Sequence, residues 1–468
     1  MEPKYVQPAA PVPPSWPIGD AYLANSEAPL PAVTYRDIFR DARLQELIAQ
    51  ALVENRDLRV AAANIRVARE QYRIQRAERL PEVTAGAGAT VAGGSRSTGS
   101  GNVSSGGSNS GTRTNFSSDL GITGFELDLF GRVASLTRAE QNRYFATEAG
   151  ARATWLTLVG DIADGWLRYA ADASLLKIAE DTAASAEQSV RLTRARLQGG
   201  IAPRTDLRQA EQVLEGARAD LAEQRTALAQ DINALQLLVG APIDPALLPA
   251  SLDEAAPTVA ELPAGIDSSV LLRRPDVVQA EYSLRAANAE IGAARAALFP
   301  RISLTGLLGL ASNALTGLFS GNGFNWSGGA DASYSIFNAG AGRANVRLSE
   351  AQREAAIATY ERAIQSAFRE VADALARRGT ITDQLRATQA QAEAAADTFR
   401  LAEARYRGGI DTFLSSLDAQ RSLYAARRTL VNTRLVQASN LVTLYRALGG
   451  DSLLTATAQG PVPVASKP

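Results

Sequence analysis

The sequence contains no cysteine and no histidine among its 468 residues. The lack of cysteine excludes disulfide bonds, thiolate zinc sites and cysteine nucleophiles, and the lack of histidine excludes imidazole acids, bases and metal ligands. No Walker loop, G-x-S-x-G nucleophile elbow or dinucleotide-binding G-x-G-x-x-G motif is present. These absences argue against an enzyme, and they give no reason to expect a metal ion or another cofactor.

Long apolar runs and an excess of charge are also missing. No stretch of about twenty apolar residues occurs, so no helix is predicted to span a bilayer. The formal net charge is −1, which gives no reason to expect a nucleic acid partner. The chain starts at Met1 without a hydrophobic signal segment, which indicates a cytosolic protein or a mature chain whose leader has been removed.

A long helix and the double-glycine turn after it dominate the first half of the sequence. Residues 132–198 contain no proline, and apolar side chains recur three or four positions apart. At 1.5 Å per residue, such a helix would be about 100 Å long. Gly199-Gly200 ends it, because glycine tolerates the left-handed conformation in which helices stop. Leucines then recur every seventh residue, at Leu207, Leu214, Leu221, Leu228 and Leu235. This period predicts a return helix over 202–240 and an antiparallel coiled-coil hairpin.

Two strands are predicted before the long helix. Residues 82–92 and 115–130 alternate apolar residues with polar or small ones, which is the period of a β-strand. The stretch between them, Gly93–Thr112, is rich in glycine, serine and asparagine, and we expect a flexible exposed loop there.

The sequence is a tandem duplication. Ala195–Ile201 is matched by Ala404–Ile410, which includes Gly408-Gly409, and Gly240 is matched by Gly449. The predicted segments are an extended N-terminal segment over 1–40, a first repeat over 41–240 that opens with a helix to Arg79, a Pro-rich connector over 241–266, a second repeat over 267–449 and a tail over 450–468. The second repeat holds predicted strands over 301–311 and 326–337, a long helix over 342–407 and a return helix over 411–448.

The predicted strands have the length that crosses an outer membrane when tilted, about ten residues. Four strands cannot enclose a pore, whereas three chains would supply about twelve, so membrane strands would require a trimer that shares one barrel. Phe319, Phe324 and Trp326 flank the second hairpin loop, where an interfacial aromatic belt would lie. The strand pattern leaves a soluble sheet with one buried face as the alternative.

Three stretches carry a family resemblance. Tyr406–Ile410, followed by Leu414 and Leu417–Arg421, looks like the TolC/OprM family of outer-membrane efflux channels. Phe125–Arg132 and Ala289–Pro300 resemble its drug-efflux lipoprotein branch. With the duplicated order, the resemblance covers nearly the whole chain. It implies an α+β membrane protein, in which a trimeric, twelve-stranded outer-membrane β-barrel continues into a long periplasmic coiled-coil barrel. An equatorial belt would be built from the connector and both chain ends.

The resemblance also implies a function. The homotrimer would be the passive exit duct of a tripartite RND-type multidrug efflux pump, in contact with outer-membrane lipid in a Gram-negative bacterium and extending into the periplasm. A periplasmic adaptor protein and an inner-membrane RND transporter would be its partners. The lipoprotein branch begins with an acylated cysteine shortly before a Pro-x-Tyr, here Pro3-Lys4-Tyr5; since Met1 stands there instead, native lipidation stays an expectation. A type I protein-secretion duct and a non-channel coiled-coil scaffold remain as alternatives.

The gate of such a duct is expected at the tip of the second hairpin. Leu414 and Asp418 lie four residues apart on one helix face, so a trimer would present an apolar ring and an anionic ring. The other residues of the predicted constriction are Asp411, Tyr406, Arg405, Arg407 and Arg421. The pairs Gly199-Gly200 and Gly408-Gly409 form the turns at the helix tips. Without the family resemblance, the same charges are also typical of a solvated coiled-coil surface.

Overall fold

The computed structural model describes residues 1–17, 19, 22, 34–93, 112–259, 268–319 and 323–464. The predicted loop between the first two strands, and parts of the predicted N-terminal segment, connector and tail, lie outside the described residues. The chain divides into two compact units, which are described separately. Unit one comprises Met1–Gln7, Val67–Tyr144 and Ser283–Ile357, and unit two comprises Pro8–Arg66, Phe145–Tyr282 and Ala358–Pro468. Across the described ranges, no helix is both long enough and apolar enough to cross a membrane.

The elements follow one another in duplicate order. The helices are α1 (Tyr35–Ile38), α2 (Ala42–Glu54), α3 (Arg56–Ala77), α4 (Arg132–Gln198), α5 (Arg204–Val239), α6 (Leu252–Ala255), α7 (Pro275–Ala296), α8 (Ala341–Arg407) and α9 (Phe413–Ala447). The strands are β1 (Val83–Gly93), β2 (Thr112–Glu126), β3 (Arg301–Ser312), β4 (Phe324–Ser333), β5 (Leu454–Thr457) and β6 (Gly460–Pro463). The long helices α4 and α8 have the same length, 67 residues each.

Unit one contains a four-stranded antiparallel sheet in the order β1-β2-β3-β4. Strands β1 and β4 are therefore its two edges. In β2, the register shifts between Ile122 and Phe125, where Gly124 has a φ of +71°. The bulge places one extra residue in β2 between these two pairs, and β2 then continues its pairing with β3.

The sheet has one apolar and one polar face, because successive side chains of a strand point to opposite sides. On the apolar face, Leu120 lies opposite Leu308, and Leu308 lies opposite Trp326. All three side chains are exposed in the single chain. An apolar face of this extent requires contact with lipid or with another apolar surface.

Two strands end earlier than the sequence pattern predicts. Strand β2 stops at Glu126 instead of 130, because Asp128 accepts hydrogen bonds from the backbone N–H groups of Val133 (3.1 Å) and Ala134 (2.7 Å) at the start of α4. Strand β4 stops at Ser333 instead of 337, because its partner β3 begins at Arg301, directly after a proline that cannot donate a ladder hydrogen bond.

The first predicted helix, from residue 41 to 79, is two helices in the structure. Asn55 separates α2 from α3: its side-chain amide donates to the carbonyl of Leu238 at 2.7 Å, and its side-chain oxygen accepts from the backbone of Leu58 at 2.9 Å. The oxygen caps α3 while the amide satisfies the end of α5. Because these two hydrogen bonds hold Asn55 outside the helical conformation, the chain forms two helices where the apolar periodicity predicted one.

The core of unit two is built around the middle of α4, the start of α7, the middle of α8 and the end of α9. Trp166 of α4 is fully buried, and its indole N–H donates to the carbonyl of Leu247 at 3.1 Å. Arg274, also buried, donates to Asp276, to Glu370 and to the carbonyl of Ala447. Because a buried guanidinium group is costly unless it is paired, these bonds hold the start of α7 against the middle of α8 and the end of α9.

Candidate functional site

The two double glycines end α4 and α8 in the same way. Gly200 and Gly409 have φ values of +73° and +74°, in the left-handed region. The backbone N–H of Ile201 donates to the carbonyl of Arg196 at 2.8 Å, and that of Ile410 donates to Arg405 at 2.9 Å. These six-residue loops are Schellman motifs, which close a helix end and let the chain turn back. The second glycine of each pair is required, since an L side chain resists a positive φ.

A buried apolar cluster packs the two hairpin tips together; we call it the tip cluster. It comprises Ala186, Val190, Ala210, Leu214, Ala217, Tyr406, Phe413 and Leu417. The rings of Tyr406 and Phe413 have centroids 5.4 Å apart. Of the predicted constriction residues, Tyr406 thus lies in the packing between helices and not on a free surface.

Arg196 joins the tip of the first hairpin to that of the second. Its guanidinium carbon lies 4.6 Å from the ring centroid of Tyr406, and its Nη1 donates to the Tyr406 carbonyl at 3.0 Å. The hydroxyl groups of Thr193 and Tyr406 are 3.4 Å apart. Sequence analysis missed both Arg196 and Thr193 as functional residues. The repeat held a signal for Arg196, because the duplication aligns it with Arg405 of the predicted constriction.

The remaining predicted arginines near the turn are paired locally. Arg405 Nε lies 2.5 Å from Asp411 Oδ2, and this hydrogen bond holds the pKa of the Asp411 carboxyl below its usual value. Arg407 forms an ion pair with Glu403, one turn earlier on the same helix, at 2.5 Å. Neither arginine is therefore held against Asp418 within the subunit.

Leu414, Asp418 and Arg421 form an exposed line along the first turns of α9. The line lies about a quarter of the way around the helix from the side that carries Phe413 and Leu417 into the tip cluster. Leu414 is 51% exposed. Within the described part of the chain, Asp418 and Arg421 form no ion pair. The line is thus free to meet other copies of the chain or an aqueous passage.

The described residues include no group of three or more acidic, histidine or cysteine side chains that could hold a metal ion. The side chains at the tips can pack, carry charge and form hydrogen bonds.

Comparison with known proteins shows that the chain is similar to outer membrane efflux proteins and to solved outer membrane channels. The family model described as "Outer membrane efflux protein" matches residues 47–241 and 267–450. The chain is 44% identical to the probable efflux pump outer membrane protein TtgC of Pseudomonas putida, over 96% of this chain and 92% of the relative. It is 38% identical to the cation efflux system protein CusC of Escherichia coli, over 96% of both chains. The solved open state of the Neisseria gonorrhoeae MtrE outer membrane channel is similar with a TM-score of 0.83 and 35% identity, covering 96% of this chain and 98% of that one.

Proposed function

Because this chain belongs to the outer membrane efflux protein family, we propose that it is the exit duct of a tripartite RND-type efflux pump, gated at its helix tips. The family resemblance of the sequence is confirmed, and with it the location in the outer membrane and the fold of a trimeric channel to which each chain contributes four strands. The family consists of channels, not enzymes.

The proposed cargo and partners rest on the relatives. Several relatives are named as outer membrane proteins of toluene, solvent or antibiotic efflux pumps, and another as a cation efflux system protein. These names favour small-molecule efflux over protein secretion or a scaffold role. A periplasmic adaptor and an inner-membrane RND transporter would supply the substrate and the energy. We further propose that the native chain carries a lipid anchor at its N-terminus, as the lipoprotein branch does.

The gate is supported by the exposed line on α9. In a threefold assembly, Leu414 would form an apolar ring and Asp418 a ring of three carboxylates one helical turn away. Crowded carboxylates repel one another and attract cations, so the closed state needs compensating contacts. Of the three arginines predicted at the constriction, Arg405 pairs with Asp411 and Arg407 with Glu403. Arg421 is therefore the one that would compensate the charge of the Asp418 ring.

Conductance in planar bilayers tests this assignment. We expect Leu414→Ser to raise the conductance of the closed channel several-fold and Asp418→Ala to lower cation selectivity by roughly twofold or more. Arg421→Ala should make opening more frequent. Asp397→Ala is a matched control, because Asp397 is exposed on α8 and pairs with Arg400 of the same helix. If all three tip variants behaved like the unmodified channel, the constriction would lie elsewhere, and Arg204 and Asp206 of the first hairpin would be tested next.

A further inference from the structure

Four exposed arginines lie at the helix ends next to the edge strands of the sheet in unit one. Arg76 and Arg79 are at the end of α3, just before β1, and Arg343 and Arg347 are in the first turns of α8, just after β4. Within the described residues, none of the four side chains forms an ion pair or a hydrogen bond. By contrast, Arg132, Arg295 and Arg301, at the inner junctions, are paired with Glu126 or Glu350.

The position of these arginines at the two edges of the sheet has a consequence in the trimer. The strand order leaves β1 and β4 as the edges, so a barrel closed by three copies pairs β4 of each subunit with β1 of the next. Strand β1 starts and β4 ends at the side of the helices. Arg76 and Arg79 therefore come to the same end of the contact between subunits as the partner subunit's Arg343 and the partner subunit's Arg347. We call this end of the contact the seam.

The seam also carries exposed apolar side chains. Ile336 and Phe337, directly after β4, are 92% and 87% exposed, and Leu80, directly before β1, is exposed as well. Apolar groups of this size beside a row of guanidinium groups match the boundary between acyl chains and headgroups of a bilayer. The nearby carboxylates are Glu78, which accepts from Gln75 at 2.5 Å, and Glu82. The four arginines outnumber these two acids.

We propose that each seam binds the headgroup of an anionic phospholipid from the periplasmic leaflet of the outer membrane. The guanidinium groups would donate hydrogen bonds to the phosphate, for which their planar fork is well suited. The apolar side chains of the seam would contact the first segments of the acyl chains. Because both subunits contribute arginines, the lipid would join neighbouring subunits, and a trimer would hold three such sites.

Native mass spectrometry of the detergent-solubilised trimer tests the proposal with phosphatidylglycerol and phosphatidylcholine of the same acyl chains. We expect the unmodified trimer to retain up to three phosphatidylglycerol molecules and to prefer this lipid by about tenfold or more. The double variant Arg79→Gln with Arg343→Gln should lose the preference, whereas Arg79→Lys with Arg343→Lys should keep most of it. Inorganic phosphate at millimolar concentration should not displace the bound lipid.

The matched control is Arg225→Gln with Arg427→Gln, which removes two exposed arginines from α5 and α9 and should leave lipid binding unchanged. Equal binding of both lipids by the unmodified trimer would overturn the proposal. So would an unchanged preference in the glutamine variant, or displacement by inorganic phosphate, which would indicate a site for the free ion. If the glutamine variant does not assemble, the comparison of the two lipids on the unmodified trimer and the lysine variant decides.

Discussion

At the scale of single residues, Arg196 joins the tips of the two hairpins within one subunit. It stacks on the ring of Tyr406 and donates to the backbone carbonyl of the same residue. Tyr406 in turn is anchored in the tip cluster through Phe413. In the proposed gate, opening would separate the tips and break the contacts of Arg196, so we expect this residue to stabilise the closed state.

We expect Arg196→Ala to raise the frequency of opening about tenfold. A cation–π contact and a charge-assisted hydrogen bond together contribute about 1–3 kcal/mol, and about 1.4 kcal/mol corresponds to a tenfold change in an equilibrium constant. Single-channel recording in planar bilayers measures the frequency of opening. Arg191→Ala is the control, since Arg191 pairs with Glu187 of the same helix. Equal opening of both variants would show that Arg196 does not hold the tips together.

At the scale of elements, the first hairpin shows how charges are matched between α4 and α5. Near the turn, Arg194 pairs with Glu211 at 3.2 Å, and further along Glu187 pairs with Arg218 at 3.6 Å. Continuing the same antiparallel register brings Asp172 against Asp231, two like charges. Burial, and then a hydrogen bond with the Asp172 carboxyl, raise the pKa of Asp231 to about 7. Protonation of Asp231 removes the repulsion between the two carboxyl groups, which favours the packing of the two helices there.

This pair makes the stability of the hairpin depend on pH. Because the pKa of Asp231 is raised in the folded state from 3.8 to about 7, the folded state binds more protons than the unfolded state between about pH 4 and pH 7. The free energy of unfolding should therefore fall as the pH rises through this window and level off above it. The charged groups facing Asp231 from α4 are Asp172 and Arg168, and the Tyr169 hydroxyl lies nearby.

We expect Asp231→Asn to remove this part of the pH dependence and to make the trimer more stable than the unmodified protein above pH 7. Thermal unfolding in detergent at pH 5 and pH 8 measures the difference. Asp181→Asn serves as the control, because Asp181 is exposed on α4 and pairs with Lys177. A loss of stability between pH 5 and pH 8 that is the same in the asparagine variant and the unmodified protein would rule out the carboxyl pair as its source.

At the scale of the whole molecule, the sheet of unit one is incomplete in a single chain. Its two edge strands have unpaired backbone groups, and its apolar face, which includes Leu120, Leu308 and Trp326, is exposed. Unpaired backbone groups are not tolerated in lipid, because no water is available to hydrogen-bond with them. A single chain therefore cannot close a barrel in the membrane, and the trimeric fold of the family supplies the missing strands.

We expect the purified protein to be a trimer that requires detergent. The mass of the protein–detergent particle, corrected for bound detergent, should correspond to three chains. Trp326→Asp, on the apolar face, should reduce insertion into vesicles. Asn325→Asp, on the opposite, polar face, should insert nearly as well as the unmodified protein. A monodisperse monomer with full helical content and no detergent would contradict the shared barrel.

The sequence by itself determined what depends on local chemistry and on periodicity. The double glycines show where the long helices turn back, because a left-handed backbone conformation is a property of one residue. The duplication and the period-two segments show the order of helices and strands, since the faces of an element follow from the spacing of its apolar residues. Their spacing of four residues also placed Leu414 and Asp418 on one face of α9.

Only the tertiary structure decided which distant side chains meet. Arg196 and Tyr406 are 210 positions apart, and Asn55 and Leu238 are 183 apart. Which partners such residues take depends on the relative rotation and register of packed helices, and no local pattern encodes either quantity. The same holds for Tyr406, which the family resemblance assigned to the constriction and which packs inside the tip cluster. It holds for Asp172 and Asp231 too, whose repulsion arises only where two helices bring like charges together.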